Sequence, residues 1–94
     1  MKLDWSAVAL ADLDRFAAFL HDRHPRLAGI VAREILAKAT ILESNPELGF
    51  SIGGQGAYRQ IVLEVLRAKY VFRYRIAGDR LVMLRVFHGK EKRV

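Results

Sequence analysis

An α+β fold is predicted for this 94-residue chain by three observations. Apolar residues recur with a helical period through the first half, they alternate with a strand period through the last third, and a glycine-rich stretch with neither period separates the two. The expected architecture is a short N-terminal strand, an antiparallel two-helix hairpin, then a three-stranded antiparallel meander packed on the helices, in the order β-α-α-β-β-β. Ninety-four residues sustain one hydrophobic core, so a single domain is expected over residues 1–94.

Each element has its own signal. Leu3 to Trp5 is a short apolar stretch ahead of Ser6, whose hydroxyl can accept a hydrogen bond from an otherwise orphaned helix amide. From Ala7 to about His24 the apolar stripe is Leu10, Leu13, Phe16, Ala17 and Leu20, with Asp12, Arg15, Asp22 and Arg23 mostly off it. Pro25 breaks this helix, and a second stripe runs through Leu27, Val31, Ile35, Ala39 and Leu42 to Ser44-Asn45-Pro46, where the residue before proline is biased out of helical geometry. Residues 47–57 hold four glycines and no periodicity, which predicts a loop. Arg59 to Leu66 alternates as a strand and connects through Arg67-Ala68-Lys69 to the run Tyr70 to Ile76. There Tyr70, Phe72, Tyr74 and Ile76 form the face expected to cover the helices, with Val71, Arg73 and Arg75 opposite. After Ala77-Gly78-Asp79 a last strand extends from Arg80 to His88; its all-apolar set is Val82, Leu84 and Val86, leaving Leu81, Met83, Arg85 and Phe87 on the other face.

Several function classes are excluded. The chain has no cysteine, so disulfides and thiolate metal sites do not contribute. No apolar run approaches the ~18 residues of a membrane span, and the N-terminus lacks a signal-peptide core, so a cytoplasmic protein is expected. His21 and His24 are spaced to share a metal on a helix but have no evident third ligand, and neither metal nor cofactor is expected. The segment Ser51-Ile52-Gly53-Gly54-Gln55-Gly56 lacks both the Gly-Lys-Ser/Thr ending and the strand-to-helix setting of a phosphate-cradling loop, and reads as a flexible connection.

Charge separates the two halves of the chain. Residues 58–94 carry ten Lys/Arg against three Asp/Glu, whereas residues 1–57 carry six against seven, so the whole net charge of +6 lies on the sheet-forming part. Such asymmetry focuses a positive field that attracts polyanions or acidic protein surfaces. Arg73, Arg75 and Arg85 alternate on the expected outward face, Lys90, Lys92 and Arg93 form a basic end, and His88 closes the last strand, where a structural role competes with acid–base chemistry. Phe19, with Val8, Leu36 and Leu48, is the apolar surface expected to await a partner.

Ala11-Asp12-Leu13 in the first helix, Pro25 and Ala28 at the turn, and Leu42-x-x-x-Pro46-x-x-Gly49 after the second helix form one set of motifs. Tyr58-Arg59, the run Tyr70-Val71-Phe72-Arg73-Tyr74-Arg75-Ile76, and Val82-x-Leu84-Arg85-Val86-x-His88-Gly89-Lys90 form another. In this order and with these gaps the chain resembles the RelE/ParE superfamily of toxins along essentially its whole length. The resemblance implies the toxin half of a type II toxin-antitoxin pair, held in a hetero-oligomer by a cognate small antitoxin. The superfamily contains two chemistries. Its mRNA-cleaving branch implies a ribosome-dependent endonuclease using Arg59, Arg73, Arg85 and His88, with ribosome and mRNA as partners. Val71, however, stands where that branch places an arginine, and Glu91 stands at a second basic position, so the cationic donors that a scissile phosphate needs are missing there. The Tyr-x-x-Arg-Tyr-Arg and His-Gly-Lys spacing is more similar to the ParE branch, which implies a binder of DNA gyrase rather than an enzyme. On that reading Arg59, Arg73, Arg75, Arg85, His88, Lys90, Lys92 and Arg93 contact the target, and Val8, Phe19, Leu36, Leu48, Arg73 and Arg85 contact the antitoxin. A degenerate, non-toxic binding module is the third alternative.

Overall fold

The polypeptide runs through a strand β1 (Lys2–Trp5), a helix α1 (Ala7–Leu20), a second helical arm, and four further strands. The second arm consists of α2 (Pro25–Ala28), α3 (Val31–Ala39) and α4 (Ile41–Ser44); the strands are β2 (Phe50–Ile52), β3 (Gln55–Val65), β4 (Ala68–Ala77) and β5 (Arg80–His88). The computed structural model describes residues 1–91, and of Gln55 only the backbone.

Ser6 joins helix to sheet. It is the N-cap of α1, its Oγ accepting from Ala9 N at 3.0 Å and donating to Leu84 O at 3.2 Å, while its own amide donates to Met83 O at 3.0 Å. The buried positions of α1 are Ala9, Asp12, Leu13 and Phe16. The stripe is therefore rotated by about one residue from the sequence expectation: Leu10 is 46% exposed and Asp12 is inside. Asp12 is drawn in because donors from β5 and from Arg15 surround its carboxylate.

The second arm keeps its predicted column, with Val31, Ile35, Ala39 and Leu42 fully buried. It is not the continuous helix that the periodicity suggests. It breaks at Gly29-Ile30 and again at Thr40, where the Thr40 amide and hydroxyl both bond Ala37 O and tighten the last turn of α3.

Five strands form one sheet in the order β1-β5-β4-β3-β2. The predicted antiparallel meander β3-β4-β5 is present, but the sheet is mixed and larger than expected. β1 adds to the β5 edge in parallel, with Leu3 opposite Leu81 and Trp5 opposite Met83. β2 adds antiparallel to β3. The glycine-rich segment is thus a hairpin, not a flexible loop: Gly53 and Gly54, both at positive φ, form a two-residue turn between Ile52 and Gln55.

One face of the sheet carries Tyr70, Phe72 and Tyr74 of β4 with Leu81, Met83 and Val86 of β5, and packs on the helices as the core. The expected core set Val82, Leu84 and Val86 is corrected at two of three positions. Arg73 pairs with Arg85 while Tyr74 pairs with Met83, so Leu84 is the extra residue of a β-bulge. The bulge shifts the alternation within β5, which no period-2 pattern can express. Among the described residues no helix lies over the second face of the sheet.

Candidate functional site

The uncovered face is built by strand register. Tyr58, Arg75 and Val82 lie across it in one row; Gln60, Arg73 and Arg85 in the next; Val62, Val71 and Phe87 in a third, with Phe50 of β2 beside Gln60. Its aromatic and arginine side chains are organised. The Phe87 ring lies beneath the Arg73 guanidinium at 5.1 Å and the Arg85 guanidinium at 4.6 Å, contacts in which the cation is attracted by the ring's negative face. Arg73 Nε donates to Gln60 Oε1 at 2.7 Å, whereas Arg75 has no side-chain partner among the described residues. Phe50 is 59% exposed, and Tyr58 and Val62 are exposed as well. The face thus offers cationic donors and apolar surface together, a combination suited to a macromolecular partner.

Arg85 belongs to this row by register, but its charge is already engaged. Its Nε and Nη2 donate to Asp12 Oδ2 and Oδ1 at 2.9 and 3.1 Å, and Val86 N donates to Asp12 Oδ2 at 2.8 Å. Asp12, 1% exposed, also accepts from Arg15 Nη1. Burial pushes the Asp12 carboxyl up, but the hydrogen bonds from Arg85, Val86 and Arg15 outweigh it and hold the group below its ordinary 3.8. Arg15 continues to Glu91, through Nε to Oε1 at 2.9 Å and Nη2 to Oε2 at 3.2 Å, and Glu91 Oε2 accepts His88 N at 2.7 Å. Asp12 and Glu91 therefore satisfy the edge amides of β5 beyond the end of β1 and tie the end of the strand to α1. Sequence reasoning placed Asp12 on the surface, although its position between Ala9 and Phe16 on the helical period marks it as inward.

The remaining candidates occupy other places. Arg59 shares the core-side face with Tyr74 by register, donating through Nη1 to Gly49 O at 2.7 Å and to Glu47 O at 3.4 Å. His88 pairs with Tyr70 at the other end of the sheet, four positions along β4 from Tyr74, or roughly 13 Å at strand rise. Its Nδ1 accepts from Lys90 N at 3.1 Å, and its ring meets Tyr70 edge-on at 5.2 Å. Gly89 follows because backbones cross closely: its amide donates to Lys69 O at 2.7 Å, and a Cβ there would lie 2.8 Å from that oxygen. Arg59 and His88 thus stand on the register face opposite Arg73 and Arg85, and the structure does not bring these four together. Lys92 and Arg93 lie outside the described residues.

Of the apolar candidates, Val8 (54% exposed) and Phe19 (60%) lie on α1, Leu36 packs partly against the core, and Leu48 is exposed near β2. Phe19 borders a groove of about 610 Å³ between the end of α1, α2, the β3–β4 turn and the end of β5, with Leu20, Leu27, Leu66 and Tyr70 among its walls. Sequence reasoning did not anticipate this groove, since it arises where the two helical arms and the sheet fail to close.

Among the described residues no group of three His, Asp or Glu is placed to hold a metal ion, and no helix is long and apolar enough to cross a membrane. Comparison with known proteins agrees with the architecture. Over 88 residues the chain is 32% identical to Toxin RelE1 of Caulobacter vibrioides, covering 94% of this chain and 92% of that protein. A solved structure described as the chromosomal ParDE TA system from P. aeruginosa superposes with a TM-score of 0.75, at 22% identity over 94% of this chain and 95% of the other, and shares the fold. Residues 3–93 match the family described as the ParE toxin of the type II toxin-antitoxin system parDE, and the chain belongs to that family.

Proposed function

We propose that this toxin acts by binding, with DNA gyrase as target and the uncovered sheet face as contact surface, and that a cognate antitoxin holds it inactive. The observation that carries this reading is the state of the basic groups. Among the described residues Arg75 has no side-chain partner, and Arg73, bonded to Gln60 through Nε, keeps its terminal nitrogens over Phe87 without an acceptor, whereas Arg59, Arg85 and His88 are each held by the protein's own backbone or carboxylates. A ribonuclease needs its acid, base and cationic donors to converge within about 3 Å of the reacting atoms. A binding surface needs only exposed, complementary groups. The buried Val71 in the middle of the face, and Glu91 bound to Arg15, point in the same direction.

The partner reading rests on the ParDE structure named above together with the exposed apolar surface on α1. An acidic antitoxin that folds on the toxin can wrap large surfaces, and opposite charge accelerates its encounter. The test is a pair of assays on the purified protein, gyrase supercoiling beside cleavage of ribosome-bound mRNA. Inhibition of supercoiling relieved by the product of the adjacent reading frame is expected. In-frame mRNA cuts without an effect on gyrase would replace this reading with the ribonuclease one.

A further inference from the structure

The β3–β4 connection is a two-residue turn, Leu66-Arg67, closed by the pair Val65 and Ala68. Both residues have positive φ, 51° and 66°, and they are the only non-glycine residues described with that conformation. This geometry is that of a type I′ hairpin turn, whose natural occupants are Asn and Gly because a Cβ is strained there. A leucine and an arginine are the least economical choices for the turn itself, so their side chains are the reason to look further.

The two residues line different concavities. Leu66 walls the apolar groove beside Phe19, Leu27 and Tyr70. Arg67 walls a second hollow of about 530 Å³, where Lys69, His88 and Lys90 stand around Val62 and Val71 and no carboxylate is among the lining residues described. Ala68, His88 and Lys90 border both hollows and form a saddle between them. One side of the saddle is apolar and the other is cationic. A nucleic acid would use only the second side; a polypeptide with an apolar side chain followed by carboxylates uses both.

We infer that the strained Leu66-Arg67 turn is a docking element, and that an antitoxin segment crosses this saddle, seating an apolar anchor against Leu66 and Phe19 and its carboxylates against Arg67, Lys69 and Lys90. The inference rests on the toxin-antitoxin reading and identifies where that partner is read and by what chemistry. The ideal turn sequence would remove both contacts, together with the packing of Leu66 on the core.

The test uses the full chain and the product of the adjacent reading frame in titration calorimetry, with thermal unfolding alongside. The double variant Leu66→Asn/Arg67→Gly supplies the preferred turn but also removes a leucine that packs partly against the core, so thermal unfolding serves to confirm that it folds, while its affinity is expected to fall at least tenfold. Lys69→Glu/Lys90→Glu, both exposed, is expected to lose a similar factor, with the loss shrinking as salt is raised. A folded turn variant that binds within twofold of the wild type overturns the inference, as does a Lys69→Glu/Lys90→Glu variant that does so. If the wild-type chain itself binds no such product, the antitoxin reading fails and this one with it.

Discussion

Tyr74 shows how a single side chain can account for a motif. Its hydroxyl donates to Pro46 O at 2.7 Å and accepts from Gly49 N at 2.9 Å, so it closes the Pro46-x-x-Gly49 loop from inside the core. A Cβ on Gly49 would lie 2.7 Å from that hydroxyl and 2.9 Å from Gln60 O, which explains why glycine ends the motif. Gly49→Ala is therefore expected to destabilise by about 1–3 kcal/mol through overpacking, and Tyr74→Phe by a similar amount because a buried amide loses its acceptor. Urea denaturation of the two variants checks both; wild-type stability in either would remove the lock. Asp12 is the second such residue. Its carboxyl is held below 3.8 in the fold, so its contribution is fully present above pH 3.8 and is lost as pH falls through the lower folded value. Asp12→Ala is expected to cost about 2–3 kcal/mol at neutral pH, less than for a fully buried pair because Arg15 and Arg85 are about two-fifths exposed and regain water. The gap between wild type and variant, followed by denaturation at decreasing pH, should close below pH 3.8. A gap that persists in acid would assign the cost to packing instead.

At the scale of elements, what was legible followed from periodicity and what was not followed from irregularity. The column Val31, Ile35, Ala39 and Leu42 and the face Tyr70, Phe72 and Tyr74 are both where a regular repeat puts them. The Leu84 bulge, the breaks at Gly29 and Thr40 and the Leu66-Arg67 turn carry no such signal: a bulge changes phase within a strand, and the turn lacks Asn or Gly. Parallel pairing of β1 was equally hidden, because Leu3 to Trp5 reads the same whichever strand it joins. The bulge gives a direct test. Met83 is fully buried and Leu84 only partly so. Met83→Ala is expected to cost about 2–5 kcal/mol and Leu84→Ala at most about half as much. The reverse order, in the same denaturation experiment, would restore the simple alternation of Val82, Leu84 and Val86 and refute the bulged register.

For the whole molecule, the governing fact is that charge and uncovered surface coincide. Residues 58–94 hold ten cationic side chains against three acidic ones, and among the described residues the helices pack on the opposite face of the sheet. Sequence alone located this basic half, but not how its members divide. Arg85 became scaffold because Asp12 was buried beside it, and Arg59 became loop support, which leaves Arg73 and Arg75 as the arginines that a target would meet in the centre of the face. Of these Arg75 is the cleaner probe, since Arg73 also bonds Gln60 and covers Phe87. Arg75→Glu changes an uncommitted, partly exposed side chain, so a stability change within about 1 kcal/mol is expected. It reverses the charge at the middle of the proposed contact, where like charge on the partner's complementary surface costs several kcal/mol. Inhibition of gyrase supercoiling should fall at least tenfold, and the wild type's own potency should decline as ionic strength is raised through the range in which the Debye length drops below about 10 Å. The antitoxin supplies the internal control: it is proposed to dock chiefly at the saddle beyond the end of this face, so its affinity for Arg75→Glu should stay within about threefold. A variant that folds, binds antitoxin and still inhibits gyrase fully would move the target surface off the sheet and onto the helices, where Val8 and Leu10 remain exposed.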